Sequence, residues 1–251
     1  MAEESKESRS QARLAAAAER KALAEAAAKK ARRSRMLVSL AVIAPILLVV
    51  IVGVSISLVK TKVDSTVTAP SIASKADGYG LVFNASAKPQ IDVWEDFQCP
   101  ACKNFEGANG ATVHTLATSG KARVVFHTLS FLGAESVILA NAGACAADEG
   151  KFLQFHDYLY QNQKPENSAY WGLNRVTAAG VAAGLPKKSF TECVKSGKFA
   201  KWVENIAADG AKANINQTPT VLINGKEIDR NSGAYIDSSL FNKALADAGV
   251  K

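Results

Sequence analysis

Two of the four cysteines in this sequence form a Cys-x-x-Cys motif, Cys99-Pro100-Ala101-Cys102. The motif follows a predicted strand over 90–97 and opens a predicted helix. The free N–H groups and partial positive charge at a helix start stabilise a thiolate, which is the nucleophilic form of cysteine. Cys99, nearest the helix start, is therefore the predicted nucleophile. Cys102, one turn further along, is predicted to resolve a mixed disulfide.

Three other interpretations of the motif stay open at this stage. A zinc site needs a second pair of ligands, but Cys145 and Cys193 are isolated, and the three histidines form no paired motif. A structural disulfide within so small a loop constrains little chain. The third alternative is an inert buried pair. We predict no metal site and no cofactor, and interpret His114, His127 and His156 as surface or core groups rather than ligands.

The elements around the motif predict a mixed α/β fold. Strands at 90–97 and 121–129 flank the helix that starts after Cys99, and such a βαβ unit implies parallel strands. Asn224-Gly225 lies between two short apolar runs and is a strong hairpin signal. The remaining predicted elements are a mostly helical stretch at 134–213, hairpin strands at 220–223 and 227–228, and a last helix at 238–248.

This arrangement resembles the thioredoxin superfamily, and its helical insert resembles the DsbA-like thiol-disulfide oxidoreductases. The segments WEDFQCPACKNFE and TPTVLINGKEI carry the resemblance, which spans residues 78–251. It implies a thioredoxin-like fold with a helical insertion at about 134–213. It also implies that Thr218-Pro219 has a cis bond, lies against the cysteine pair and binds the substrate peptide. Cys99 and Cys102 would then be the redox-active disulfide.

The resemblance further implies an activity and partners. The expected function is to introduce disulfides into reduced secreted or envelope proteins. A membrane partner, either DsbB-like or a homologue of vitamin K epoxide reductase, would re-oxidise the pair. Two alternatives stay open: a reductase or isomerase, for example in cytochrome c maturation, and a non-catalytic binding or chaperone module with the same fold.

Two departures from the family pattern bear on that expectation. The residues between the cysteines are Pro-Ala, whereas strongly oxidising members have Pro-His. Many members carry a buried acid six residues before the first cysteine, where this chain has Val93. Glu95 and Asp96 are nearby, but the sequence alone assigns neither of them a role in proton transfer.

The N-terminal part of the chain predicts a membrane anchor. A membrane-anchored protein of this kind resembles the DsbA-like proteins of actinobacterial cell envelopes. The uncharged run 36–59 would span roughly 36 Å as a helix, against a hydrocarbon core of about 30 Å. The Ala-rich tail 1–35 holds ten Lys or Arg and five Glu. The positive-inside rule therefore places the tail in the cytoplasm and the catalytic domain outside the membrane. A cleaved signal peptide is the competing interpretation, although the run is longer than usual.

A linker is predicted at 60–77, and the domain at 78–251. The net charge of +7 lies mainly in the tail, since the rest of the chain has 20 basic and 18 acidic residues. The domain therefore lacks the basic surface that nucleic-acid binding needs.

The other two cysteines lie in the predicted helical insert. Cys145 and Cys193 both follow apolar residues at helical spacing, so both are predicted to face the core. Two buried free thiols are one possibility. In an oxidising compartment we expect a structural disulfide, because closing a loop of this length stabilises the fold by up to about 4 kcal/mol.

Overall fold

A computed structural model describes residues 67–250. The tail 1–35, the predicted membrane span 36–59 and the first residues of the predicted linker lie outside the described residues. Among residues 67–250, no helix combines the length and the apolar character needed to cross a bilayer.

The described part of the chain contains a five-stranded mixed sheet in the order β1-β3-β2-β4-β5. The central strands β2 and β3 are parallel, as the βαβ prediction requires, and the other neighbouring pairs are antiparallel. Both central strands are buried along almost their whole length. The strands are β1 Leu81–Phe83, β2 Gln90–Glu95, β3 Arg123–Thr128, β4 Thr220–Ile223 and β5 Lys226–Glu227.

Helices pack on both faces of this sheet. The second to sixth of them form the predicted helical insert between β3 and β4. The helices are α1 Pro100–Ser119, α2 Ala134–Asp148, α3 Phe152–Gln161, α4 Leu173–Ala182, α5 Lys187–Ser196, α6 Ala200–Lys212 and α7 Ser238–Asp247, with two short 3-10 turns at Lys75–Asp77 and Arg230–Ser232.

Alternation along β2 sends its side chains to two different layers. Trp94 stacks on His127 of β3, with ring centroids 3.7 Å apart. Gly210 of α6 packs against the same indole, because a Cβ at that position would lie only 3.0 Å from the Trp94 ring. Val93 and Glu95 point to the opposite face, where Glu95 reaches His156 of α3. The strand thus holds one buried acid on the side of the sheet that α3 covers.

Residues before the predicted boundary at 78 contact the first strand of the sheet. Val82 N donates to Ile72 O at 2.9 Å, and Ala73 forms an isolated bridge with Leu81. The end of the predicted linker 60–77 therefore packs against β1, a strand that the sequence analysis did not predict. A three-residue edge strand flanked by Gly80 and Asn84 carries too short an alternation to be recognised.

Candidate active site

Cys99 lies at the start of α1, where the sequence predicts the nucleophile. It is the N-cap residue, Pro100 occupies the first helical turn, and both motif cysteines are free thiols. Pro suits this turn because its missing N–H has no partner to lose there. The Cys99 thiol donates to the Thr218 carbonyl oxygen at 3.4 Å. Only a small part of Cys99 is exposed to solvent.

The fold brings Thr218-Pro219 to the cysteine pair from a distant part of the sequence. The Thr218–Pro219 peptide bond is cis, as the resemblance implies. This loop leads into β4, whose antiparallel pairing with β2 fixes its position beside the end of that strand. Arg230 supports the loop by donating to Pro219 O at 2.9 Å and to Thr220 Oγ1 at 2.6 Å. The sequence analysis did not single out Arg230.

The surroundings of Cys99 stabilise its thiolate. Together they lower the pKa of Cys99 to about 6, against an ordinary value of 9.0, and hydrogen bonding from the Cys102 thiol is the largest contribution. Burial opposes this effect, while the Thr218 side chain and backbone N–H groups at the helix start reinforce it. The Thr218 hydroxyl is buried and makes no hydrogen bond while Cys99 is a neutral thiol. It is a donor available to the thiolate.

Cys102 has the opposite character. Its side chain is fully buried, and burial raises the pKa of Cys102 well above its ordinary value. The neighbouring sulfur of Cys99 and the charge of Glu95 raise this pKa further. Cys99 is therefore the more acidic thiol of the pair and Cys102 the less acidic one. Their roles as nucleophile and resolving cysteine stay predictions.

Asp96 organises the turn that leads into the motif. Its carboxylate accepts hydrogen bonds from Gln98 N at 2.9 Å and from Ser136 Oγ at 2.7 Å. Burial raises the pKa of Asp96 to about 6 despite these bonds. Gln163 of the loop after α3 holds the same turn by donating to Phe97 O and Cys99 O. Asp96 thus anchors the helical insert to the active-site turn.

A buried ion pair lies on the Cys102 side of the motif. Glu95 and His156 are both fully buried, and His156 Nε2 lies 2.7 Å from Glu95 Oε1. Burial lowers the pKa of His156, but the charges of Glu95 and Glu106 outweigh it and hold that pKa well above its usual value. Burial also raises the pKa of Glu106 to about 8.

The buried acid on this face of β2 is Glu95, two residues after the position at which many family members carry an acid. Residues 93 and 95 share one face of β2, so Glu95 lies one strand repeat closer to the motif. The signal was present in the sequence, because strand alternation separates Glu95 from Asp96. His156, on α3, gave no sequence signal that linked it to Glu95.

The structure pairs Cys145 with Cys193. The bond joins α2 to α5 within the helical insert, with Cα atoms 6.0 Å apart. Cys145 is buried, whereas Cys193 is only partly so. Neither cysteine stands at a helix start, so this pair lacks the feature that activates Cys99.

Two overlapping groups of the described residues have the geometry of a metal site. One consists of His114, His156 and Asp157, and the other of Glu95, Glu106 and His156. In each group one ligand atom per residue lies within 4.8 Å of the others. Neither group includes a cysteine of the motif.

Comparison with known proteins agrees with this fold. A thioredoxin family profile matches residues 81–238, more than half of the chain. The MdbA thiol-disulfide oxidoreductase of Actinomyces oris superposes with a TM-score of 0.60 at 22% identity, covering 71% of this chain and 92% of MdbA. Oxidised DsbA of Mycobacterium tuberculosis gives a TM-score of 0.55 at 26% identity, covering 68% and 93% of the two chains.

One curated relative is the probable disulfide bond formation protein D of Bacillus cereus, which is 28% identical over 140 residues. The match covers 52% of this chain and 62% of the relative, so the chain spans less than two thirds of that protein's length. The predicted resemblance to DsbA-like proteins is confirmed, and the chain belongs to the thioredoxin family.

Proposed function

We propose that this protein is a thiol-disulfide oxidoreductase that forms disulfides in reduced secreted or envelope proteins. The observation that carries the proposal is the unequal acidity of the two motif cysteines. A stabilised Cys99 thiolate favours the reduced form of the pair, which makes the corresponding disulfide a stronger oxidant. The names of the curated relatives, disulfide bond formation proteins, support the same direction of electron flow.

The reaction begins with the Cys99–Cys102 disulfide. A substrate thiolate attacks Cys99 Sγ, forms a mixed disulfide, and releases Cys102 as a thiolate that takes up a proton because its pKa is raised. A second substrate thiolate then attacks the substrate sulfur of the mixed disulfide and releases Cys99. The substrate loses two electrons and gains a disulfide, and the cysteine pair gains the two electrons as a dithiol.

The loop at Thr218-Pro219 is the proposed substrate-binding element. The Thr218 carbonyl accepts a hydrogen bond from the Cys99 thiol, so the backbone of this loop lies directly beside the reacting sulfur. An extended substrate segment could pair with the loop in the manner of an added strand. This would hold a substrate cysteine next to Cys99.

The cycle also requires a compartment and an oxidant. We propose that residues 36–59 anchor the protein in the cell membrane by a single helix, with the N-terminus in the cytoplasm and the catalytic domain outside. A quinone-linked membrane protein, DsbB-like or related to vitamin K epoxide reductase, would accept the two electrons. Supporting this location are the uncharged run and the excess of basic residues before it.

The reduction potential of the Cys99–Cys102 pair tests the proposal. We would equilibrate the full-length chain in detergent with glutathione buffers and quantify the two redox states by thiol labelling and mass spectrometry. A potential near or above about −180 mV is expected for an oxidase. A potential near about −270 mV, where thioredoxin lies, would contradict the proposal and indicate a reductase.

A further inference from the structure

A second cluster of reactive side chains lies between α1 and α3 and includes neither cysteine of the motif. It consists of His114 from α1 and of His156 and Asp157 from α3, and we call it the His-His-Asp cluster. Asp157 Oδ1 lies 3.2 Å from His114 Nε2 and 3.6 Å from His156 Nδ1. Two ligands of a tetrahedral ion, each about 2.05 Å from the metal, stand about 3.3 Å apart. The two distances from Asp157 are therefore close to the spacing of ligands to one ion, and the ligand atoms of the three residues all lie within 4.8 Å of one another.

One ring nitrogen on each histidine of this cluster makes no hydrogen bond. His156 is completely buried, yet its Nδ1 makes no hydrogen bond, and the same holds for Nε2 of the largely buried His114. Leaving a buried polar atom unpaired costs about 1 to 3 kcal/mol. Both nitrogens face the Asp157 carboxylate as ion-pair contacts without forming a hydrogen bond, and a cation bound between the two rings would coordinate both of them.

The far side of His156 is held as in a typical metal-binding histidine. Its Nε2 lies 2.7 Å from Glu95 Oε1 and can donate to that carboxylate, while Nδ1 faces Asp157. A metal bound at Nδ1 would displace the proton that this nitrogen carries when the ring is charged. Carboxylate–histidine–metal arrangements of this kind fix the ring orientation and strengthen the ligand.

An open pocket gives solvent and ions access to His114 and Asp157, two of the three residues of the cluster. It has a volume of about 400 Å³, and its lining includes Lys103, Glu106, Gly110, His114, Asp157 and Tyr160. Gly110 makes room for the Glu106 carboxylate, because a Cβ at that position would lie 2.5 Å from Glu106 Oε2. The site thus has an entry path, space for a bound water and a nearby acidic side chain.

We propose that His114, His156 and Asp157 bind a zinc ion with three protein ligands and one open position. Two imidazole nitrogens and one carboxylate oxygen suit zinc, whereas magnesium and calcium prefer oxygen ligands. This assignment differs from the sequence-based interpretation of His114 and His156 as ordinary surface or core groups. It does not depend on the proposed redox function, since no cysteine takes part.

Zinc titration of the full-length chain in detergent tests the proposal. The protein is first oxidised so that Cys99 and Cys102 form a disulfide and cannot bind zinc as thiolates. Competition with a chromogenic chelator is expected to give one bound zinc per chain, unaffected by millimolar magnesium. X-ray absorption spectroscopy at the zinc edge should show a coordination shell of nitrogen and oxygen atoms without sulfur. No binding by the oxidised protein, or sulfur in the shell, would overturn the assignment.

Variants locate the ion. Asp157→Asn should weaken zinc binding at least 100-fold, and Glu95→Gln about 10- to 100-fold through the ring of His156. The Asp157 side chain is about 41% exposed, so its amide should not prevent folding, which circular dichroism can verify. Asp247→Asn, at an exposed acid of α7, is the matched control and should bind zinc normally. Equal affinities for the Asp157 and Asp247 variants would refute the site.

Discussion

The two cysteine pairs of this domain contain the same functional groups in opposite surroundings. Cys99 and Cys102 open α1, are free thiols, and have strongly divergent acidities. Cys145 and Cys193 lie in the C-terminal halves of α2 and α5 and are joined to each other. The helix dipole favours a thiolate only near the helix start. Position on the helix, rather than residue type, therefore separates a reactive pair from a structural one.

The largest expected effect comes from removing the predicted nucleophile. Cys99→Ser should reduce the oxidation of a dithiol peptide to the uncatalysed background, because Cys102 is fully buried and a substrate thiolate cannot reach it. The measurement is the rate of peptide disulfide formation with the oxidised enzyme in excess. Substantial remaining activity would mean that Cys102 or the second pair carries the reaction.

Substituting the partner cysteine should separate the two steps. Cys102→Ser keeps the activated Cys99 but lacks the thiol that resolves a mixed disulfide. When incubated with peptide disulfides or envelope extracts, this variant should accumulate adducts on Cys99 that mass spectrometry detects and reductant releases. The Cys99→Ser variant is the control and should form none. If both variants trapped adducts equally, the assigned roles would be wrong.

The second pair should affect stability and leave the redox reaction intact. Replacing Cys145 and Cys193 by Ala removes a cross-link between residues 48 positions apart. The lost loop-closure entropy should lower the free energy of unfolding by up to about 4 kcal/mol. Thermal unfolding should show a lower midpoint, while peptide oxidation at a temperature where the variant is folded should match the parent protein. If this variant stayed folded but lost as much activity as Cys99→Ser, the second pair could not be called purely structural.

The sequence was most informative where local chemistry decides the structure. Cys99-Pro100 at a strand-to-helix junction predicts the helix start, and Asn224-Gly225 predicts the turn between β4 and β5. The order of strands and helices then predicts an α/β fold with a helical insert. Each of these inferences uses residues close together in the chain, so periodicity and turn chemistry are sufficient to reach it.

Long-range contacts between polar residues were not predictable in the same way. His156 reaches Glu95 across 61 positions, and Ser136 reaches Asp96 across 40. Nothing in the spacing of these residues indicates such contacts, because they depend on how the helical insert folds back over the sheet. The edge strand β1 was missed for a related reason, since its three residues become a strand only by pairing with β3.

A smaller effect is expected on the pKa of Cys99, the property that distinguishes it most from the other cysteines. The rate at which iodoacetamide alkylates Cys99 follows its thiolate fraction, so in the reduced protein it should rise tenfold per pH unit below about pH 6 and level off above. Thr218→Val removes a hydroxyl that favours the thiolate, which raises the pKa of Cys99. A hydrogen bond to a charged group contributes about 1.5 kcal/mol, so alkylation at pH 5 should slow by about tenfold.

Thr177→Val is the matched control, because the Thr177 hydroxyl is also buried without a partner but lies on α4. This variant should keep the parental pH profile. If the Thr218 and Thr177 variants had the same profile, the Thr218 hydroxyl would contribute nothing to the thiolate. The low pKa of Cys99 would then come from Cys102 and the start of α1 alone, and the loop at Thr218-Pro219 would act only in positioning the substrate.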